Sequence, residues 1–225
     1  MKVNGLRWVI LSLIMLVSII NYLDRGTLNY MWVANTKSEY PADRAVFDAA
    51  NGTYTLTAED GSTIVAPADR VAEQADGSYV HTAVGGIAAE LGILDPSIPE
   101  AEFKAQSKKM LADITIFFMI AYGLSQLFSG KLYDRIGTRR GFAFSALLWG
   151  AADAFTAFAA GFKSLTAFRF MLGLGEAGPW PGTTKSNAEW FPTKERALAQ
   201  GLFNASTSVG SILAPIVISF LYLAF

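Results

Sequence analysis

Four ionisable residues stand inside stretches that are otherwise apolar: Asp24 and Arg25 within residues 6–33, and Arg169 and Glu176 within the segment that starts at Leu165. A charged residue at the centre of a membrane helix costs about 2.5–3.5 kcal/mol even on the lenient insertion scale, so each position needs a reason. The residue types suggest two kinds of chemistry. A guanidinium presents a planar fork of donors that matches a carboxylate, which suits Arg25 and Arg169 to hold an organic anion where water is scarce. A carboxyl deprived of water can take up and release a proton and pair with a cation while ionised, which suits Asp24 and Glu176 to exchange protons. Arg169 and Glu176 are two helical turns less about 20° apart, so they share one side of a helix, about 10 Å apart along its axis. Asp24 and Arg25 diverge by about 100° on theirs, which leaves one of them free to serve packing. The plain alternative for all four is an ion pair that only fixes helix packing. Intramembrane charges weigh towards function.

These residues require a membrane around them, and the composition agrees. Of 225 residues, 52% are hydrophobic and 16% charged, with a mean hydropathy of +0.33. A soluble domain is nearer a quarter charged, so the chain reads as an all-α membrane protein. Apolar runs of spanning length occur at residues 6–33, 112–130, 141–162, from Leu165 onward, and at 197–225, giving five transmembrane helices. Lys2 and Arg7 before the first run resemble a secretory signal, but no small-residue cleavage site follows and the segment continues through Asp24 and Arg25. Three parts result: the first helix in residues 1–34, a polar insert in 35–110, and helices two to five in 111–225.

The insert has its own pattern. GTYTLTAEDGSTIVA alternates Tyr54 and Leu56, turns at Asp60-Gly61, and resumes with Ile64 and Ala66, which predicts a β-hairpin. Asp76-Gly77 followed by SYVHTA predicts a further strand, and residues 86–94 a short helix stopped by Asp95-Pro96. A small β-rich unit outside the membrane is expected. His81 is the single histidine and there are no cysteines, so disulfides and thiolate sites are excluded and His81 is expected at the surface rather than in a metal site, which needs three or four donors. Residues 37–109 hold 12 acids against 6 bases, and the remainder 7 against 12, an acidic insert on a basic membrane part that argues against nucleic acid. Basic residues cluster at Lys2 and Arg7, at Lys131, Arg135, Arg139 and Arg140, and at Lys194 and Arg196, whereas the loop between the third and fourth spans has only Lys163. The positive-inside rule then places the amino terminus in the cytoplasm and the insert outside.

GKLYDRIGTRR (residues 130–140) lies on the cytoplasmic turn between the second and third spans. Its glycines would let two helix ends approach, and Asp134 could accept hydrogen bonds from a helix start or pair with Arg135 or Arg139. This loop resembles the signature of the major facilitator superfamily, with Thr138 where Arg or Lys is common. The resemblance implies that Gly130, Asp134, Arg135, Gly137, Arg139 and Arg140 form a conformational latch on the cytoplasmic side. NYLDR (21–25), RFMLGLGEAG (169–178) and AEWFPTKERALAQGLFNASTSVGSILAP (188–215) narrow the likeness. They are similar to the anion:cation symporter family, and within it to bacterial hexuronate and sugar-acid transporters.

That resemblance implies the amino-terminal helical bundle of the major facilitator fold, in a multi-pass protein of the bacterial inner membrane that is not an enzyme and uses no cofactor. It implies Arg25 at the substrate carboxylate, Arg169 as partner of the acids or of the bound anion, Tyr122, Gln126 and Asn204 contacting hydroxyls, and Asp24 and Glu176 as protonation sites. For Tyr122 and Gln126 the alternative is that they merely glue helices together. The family pattern has twelve spans and a site between two halves, so a carboxy-terminal half would be needed to complete the path. The partners implied are a small organic anion, protons and the lipid bilayer. Asp153, inside the third span, has no counterpart in the pattern and receives no role. Pro179 and Pro181 predict a kink beside Glu176. An organophosphate:phosphate exchanger would use the arginines without the acids, and a non-transporting five-span protein would present the insert as a sensory or binding module.

Overall fold

The structure, a computed structural model, describes residues 5–95 and 98–224. Lys2, counted among the basic flanks, Pro96, read as a helix stop, and Phe225, the end of the last apolar run, lie outside them. The chain divides into a helical unit, Met1–Tyr30 with Asp113–Phe225, and a second unit, Met31–Ala112. Helix α1 (Leu6–Met31) is followed by strands β1 (Ala34–Tyr40), β2 (Ala45–Asp48), β3 (Thr53–Thr57), β4 (Thr63–Pro67), β5 (Val71–Glu73) and β6 (Tyr79–Gly85), and by a one-turn helix α2 (Ile87–Glu90). Then come α3 (Glu100–Ile136), α4 (Thr138–Thr156), α5 (Phe162–Glu176), α6 (Pro179–Trp190) and α7 (Thr193–Ala224).

Among the described residues, α1, α3 and α7 are long and apolar enough to cross a membrane. Their outer faces carry Leu13, Leu16, Leu127, Ile212 and Phe220, each more than half exposed. An apolar surface of this extent belongs against lipid or protein rather than water. Helix α4 is shorter at 19 residues, and the segment expected as one kinked fourth span is two helices, α5 of 15 residues and α6 of 12. The cause is local. Pro179 and Pro181 have no N–H to return to α5, whereas proline suits the first turn of a new helix. Helical bonding resumes from Gly182 N to Gly178 O at 3.1 Å. Glu176 thereby becomes the last residue of α5.

Missing side chains set how closely the helices pack. A methyl placed on Gly210 of α7 would stand 2.9 Å from Ile19 O of α1, and one on Gly26 of α1 3.0 Å from Ala214 Cβ. On α5, Gly175 abuts the α4 backbone at Trp149, 2.6 Å from its nitrogen, and Gly173 abuts α3 at Phe118 O, 2.5 Å. Helices α1 with α7, and α5 with both α3 and α4, are thus held backbone to backbone.

The second unit contains the predicted hairpin, β3 paired with β4 in the register Leu56↔Ile64, and the further strand β6. The helix expected at 86–94 is reduced to the single turn α2. Two three-stranded antiparallel sheets are formed, in the orders β2-β3-β4 and β1-β6-β5. They repeat one design. Pro-Ala-Asp-Arg occurs at 41–44 and at 67–70, each time ending one strand and forming a 3-10 turn before the next. Asn51-Gly-Thr-Tyr-Thr-Leu-Thr-Ala58 then matches Asp76-Gly-Ser-Tyr-Val-His-Thr-Ala83. The pairings agree: Ala45↔Leu56 in the first copy answers Val71↔His81 in the second. The first strand of each copy pairs with the last strand of the other, β4 with β3 and β1 with β6. The equivalent rings of Tyr54 and Tyr79 meet at 5.4 Å, in a core built on Tyr40, Leu56 and Ala66. The start of α3 belongs to this unit: Trp32 Nε1 donates to Ser107 O at 3.1 Å and to Ser107 Oγ at 2.9 Å.

The repeat explains His81, which is not at the surface as expected but buried at 9% exposure, because it occupies in the second copy the place that the fully buried Leu56 holds in the first. Burial, and secondarily the Arg70 charge, lowers its pKa from the ordinary 6.5. The folded state therefore refuses a proton that the unfolded chain accepts. Stability is full above about pH 6.5 and falls as pH drops from there to the lowered folded value. Asp60 and Asp76, each held below the usual carboxylate range by hydrogen bonds from Ser62 and Ser78, add their own loss only below about pH 4. Amide protection factors in residues 79–85, taken relative to the intrinsic exchange rate at each pH, should fall between pH 7.5 and 5.5. His81→Leu should remove that dependence and gain on the order of 1 kcal/mol at the lower pH.

Candidate functional site

The ionisable residues singled out from the sequence converge in the helical unit. Arg25 Nε bonds Glu176 Oε2 at 2.5 Å, with the Glu176 side chain fully enclosed and that of Arg25 at 22% exposure. Three rings hold the guanidinium: Tyr122 at 4.6 Å, Tyr22 at 5.3 Å and Phe118 at 5.5 Å to the ring centroids. Aromatic faces attract a cation by about 0.5–2 kcal/mol each, so this cage offsets part of the lost hydration. Tyr122 therefore sits as a platform under Arg25, with its hydroxyl accepting from Gln126 Nε2 at 3.2 Å. Among the described residues, Arg25 Nη2 and Glu176 Oε1 are buried and meet no hydrogen-bond partner.

The 100° offset between Asp24 and Arg25 sends them to different neighbours rather than sending one out of the site. Arg25 turns to α3 and α5, and Asp24 to α4, where Trp149 Nε1 donates to Asp24 Oδ2 at 2.7 Å. Asp153 follows Trp149 by one helical turn and faces Asp24. Arg169, only 6% exposed, has Asp24, Asp153 and Glu176 as its charged neighbours, and its Nε meets no hydrogen-bond partner among the described residues. The site thus has one arginine committed to an acid and a second with donor capacity unused.

Both arginines line a cavity of about 420 Å³, together with Tyr22, Asn29, Thr115 and Ser211 among others. That volume lies within the range of pockets for small organic ligands, about 300–1,000 Å³. Gln126 is exposed and adjoins the cavity only through Tyr122. Asn204 is also exposed, its Oδ1 3.5 Å from Gln200 Nε2 on the same helix, and does not line the cavity. Tyr22, Asn29, Thr115, Ser211 and Trp149 were not singled out from the sequence. For Tyr22 and Asn29 the signal existed: they stand three before and four after Arg25, hence on its helix face.

At the other end of the helices, α3 passes to α4 through Gly137 alone, whose φ of 80° is a left-handed conformation that suits glycine. Asp134 pairs neither with Arg135 nor with Arg139, both of which point outward; it accepts from Lys185 Nζ of α6 at 2.8 Å, and the same ammonium donates to Tyr133 O at 2.9 Å. Arg140 is likewise exposed, and Thr138 Oγ1 donates to Glu189 Oε2 at 2.7 Å. Close approach occurs at glycines other than the first of the motif. Nothing lies within 4 Å of a methyl added to Gly130, whereas one on Gly141 would stand 2.6 Å from the ring of Tyr133, and Gly182 of α6 lies against the same ring. Tyr133 is 1% exposed, with its hydroxyl 3.2 Å from Ser145 Oγ. Gly141→Ala should therefore lower stability by about 1–3 kcal/mol in detergent thermal unfolding, through displacement of Tyr133. Gly130→Ala should be neutral or gain up to about 1 kcal/mol, since alanine favours an open helical position.

A sequence model of the Major Facilitator Superfamily matches residues 74–225. The galacturonate transporter of Dickeya chrysanthemi is 37% identical over 109 residues, 48% of this chain and 32% of the relative. The hexuronate transporter of Escherichia coli (strain K12) is 36% identical over 109 residues, 48% of this chain and 25% of the relative. A probable galactarate/D-glucarate transporter of the same strain is 35% identical over 107 residues, 44% of this chain and 24% of the relative. The chain thus covers about a third or less of the length of these curated relatives.

Proposed function

The chain belongs to the Major Facilitator Superfamily, a family of transporters rather than enzymes, and from that premise we propose that it forms part of a secondary active transporter for a sugar-acid anion. The substrate is a hexuronate such as glucuronate or galacturonate, carried inward with protons by alternating access. The observation that carries this reading is a pair of intramembrane arginines on one cavity, Arg25 bonded to a wholly enclosed Glu176 and Arg169 with an unmatched buried donor. The names of the similar proteins supply the substrate class. In this reading α4 and the α5–α6 pair complete five membrane-crossing segments in the bacterial inner membrane. The amino terminus is cytoplasmic and the β-rich unit of residues 35–110 lies outside. A second bundle of helices closes the cavity.

The mechanism follows from competition for a cation. Ionised Glu176 occupies the Arg25 fork, since in a poorly solvating site each partner is the other's best substitute for water. A proton on Glu176 cancels that attraction and frees Arg25 for the substrate carboxylate, while Arg169 offers a second fork. Anion and proton therefore enter together, and loss of the proton restores the pair and expels the anion. Asp24 serves as a second protonation site, Tyr122 and Gln126 meet hydroxyls near Arg25, and Asn204 does so from α7. Gly130, Asp134, Arg135, Gly137, Arg139 and Arg140 act as the cytoplasmic latch, with Lys185 as the partner of Asp134.

Proteoliposomes containing the protein at its full natural length should take up labelled glucuronate or galacturonate faster under an inward proton gradient. Arg25→Lys should reduce uptake about 10–100-fold, the equivalent of one buried charge-assisted hydrogen bond. Glu176→Gln should abolish acceleration by the gradient while leaving exchange of internal for external substrate. Uptake indifferent both to collapse of the gradient and to Glu176→Gln would refute proton coupling.

A further inference from the structure

The groups assigned to hydroxyls above stand at the margin of the cavity or away from it: Gln126 is linked to it through Tyr122, and Asn204 does not line it. The cavity has neutral polar groups of its own. Asn29 of α1, Thr115 of α3 and Ser211 of α7 line it beside Arg25 and Arg169, and none of the three has a part in the mechanism above. Helix spacing and contacts across helices fix where each stands. Asn29 follows Arg25 by four positions, so the two share a helix face with their β-carbons about 5–6 Å apart. Thr115 precedes Phe118 by three, one turn along α3 from the ring that faces the Arg25 guanidinium at 5.5 Å. Ser211 adjoins Gly210, where a methyl would stand 2.8 Å from Tyr22 Cβ, and the Tyr22 ring lies 5.3 Å from the same guanidinium. Polar groups from three helices thus surround one cation.

Their chemistry is that of hydroxyl recognition. The Asn29 amide carries two donors and an acceptor, and the Thr115 hydroxyl a donor and two lone pairs. Ser211 Oγ donates to Thr207 O at 3.0 Å, which leaves its own lone pairs to accept. A sugar hydroxyl both donates and accepts and so satisfies all three. A second carboxylate only accepts, and would set its lone pairs against those of Ser211. Between the polar groups the wall is apolar, with Leu28, Ile114 and Ala214. Such a wall suits the C–H faces of a ring, whose hydroxyls point to its rim.

We propose that Asn29, Thr115 and Ser211 form a hydroxyl-reading collar around the carboxylate position on Arg25, so that the site selects a polyhydroxylated ring carboxylate over a bare ring of the same shape. The collar rests on the transporter reading above, which puts the substrate carboxylate at Arg25. Selection works in two directions. Hydroxyls replace the water that the collar gives up, whereas a ring without them displaces that water and leaves the polar groups unmatched.

The test uses the full-length protein in lipid and titration calorimetry with three ligands: glucuronate, galacturonate and tetrahydropyran-2-carboxylate, which has the same ring and carboxylate without hydroxyls. Wild type should bind a hexuronate about 10-fold or more tightly than the bare ring. Asn29→Leu, Thr115→Val and Ser211→Ala should each weaken hexuronate binding by about 3–10-fold while the bare ring binds as before or better. Asn29 and Ser211 are exposed on their helices and Thr115→Val keeps the side-chain shape, so these variants retain the packing. Asn29→Gln, which keeps the amide, should recover part of the preference. Arg25→Lys, by contrast, should weaken all three ligands alike. Equal weakening of hexuronate and bare ring in the three collar variants overturns the collar, because damage to packing or to the carboxylate position is blind to hydroxyls. A wild-type preference kept intact in all three also overturns it. Hexuronate binding by wild type with no preference over the bare ring sinks the collar alone, whereas absence of hexuronate binding sinks the transport reading and the collar with it.

Discussion

The helical unit is organised by the need to keep Arg25 charged in a place that water hardly reaches. One carboxylate from α5, two aromatic faces from α3, a third from α1 itself and a cavity are arranged around that guanidinium. Helix α5 must lie close enough for Glu176 to bond it, which requires Gly173 and Gly175 to let the α5 backbone touch α3 and α4. It must also end at Glu176, which Pro179 ensures by starting a new helix. Helix α1 must approach α7 closely, which Gly26 and Gly210 permit. The glycines and prolines of this unit are thus the means by which a single buried cation receives its surroundings.

The charges themselves were legible in the sequence, because an ionisable residue in an apolar run is conspicuous through its cost alone. The loop at residues 130–140 was legible as a motif, and its resemblance led to the superfamily. What the sequence did not disclose were neighbours across helices. Asp24 and Arg25 differ by one position, and nothing in the chain says that the first meets Trp149 while the second meets Glu176. Asp134 was matched to nearby arginines because they are adjacent in sequence, yet a lysine 51 residues away is its partner. Interhelical pairing depends on rotation and crossing distance, which are set by small residues whose effect is visible only once the helices are docked.

The second unit illustrates the opposite case. Its hairpin was readable from alternation and an Asp-Gly turn, but the duplication that organises it was missed although its signature, Pro-Ala-Asp-Arg twice at a separation of 26 residues, stands in the open. Read singly, each copy of that tetrapeptide is polar loop. Only the recurrence of turn, strand and register identifies it as a corner of a repeated fold, and only the repeat explains why a histidine is enclosed where the other copy has leucine.

The pairing order of that unit has a consequence for its assembly. Each copy lends its opening strand to the other and completes its own sheet with a borrowed one. The unit is in this sense a strand-swapped two-fold dimer whose protomers happen to share a peptide bond. Neither half holds a complete sheet by itself, and the sheet that unites β1 with β6 cannot close until the chain has been made through to Gly85. The sheet β2-β3-β4 needs only strands that follow one another and are complete at Pro67, whereas β1, made first, is left without its neighbour until the last strand arrives.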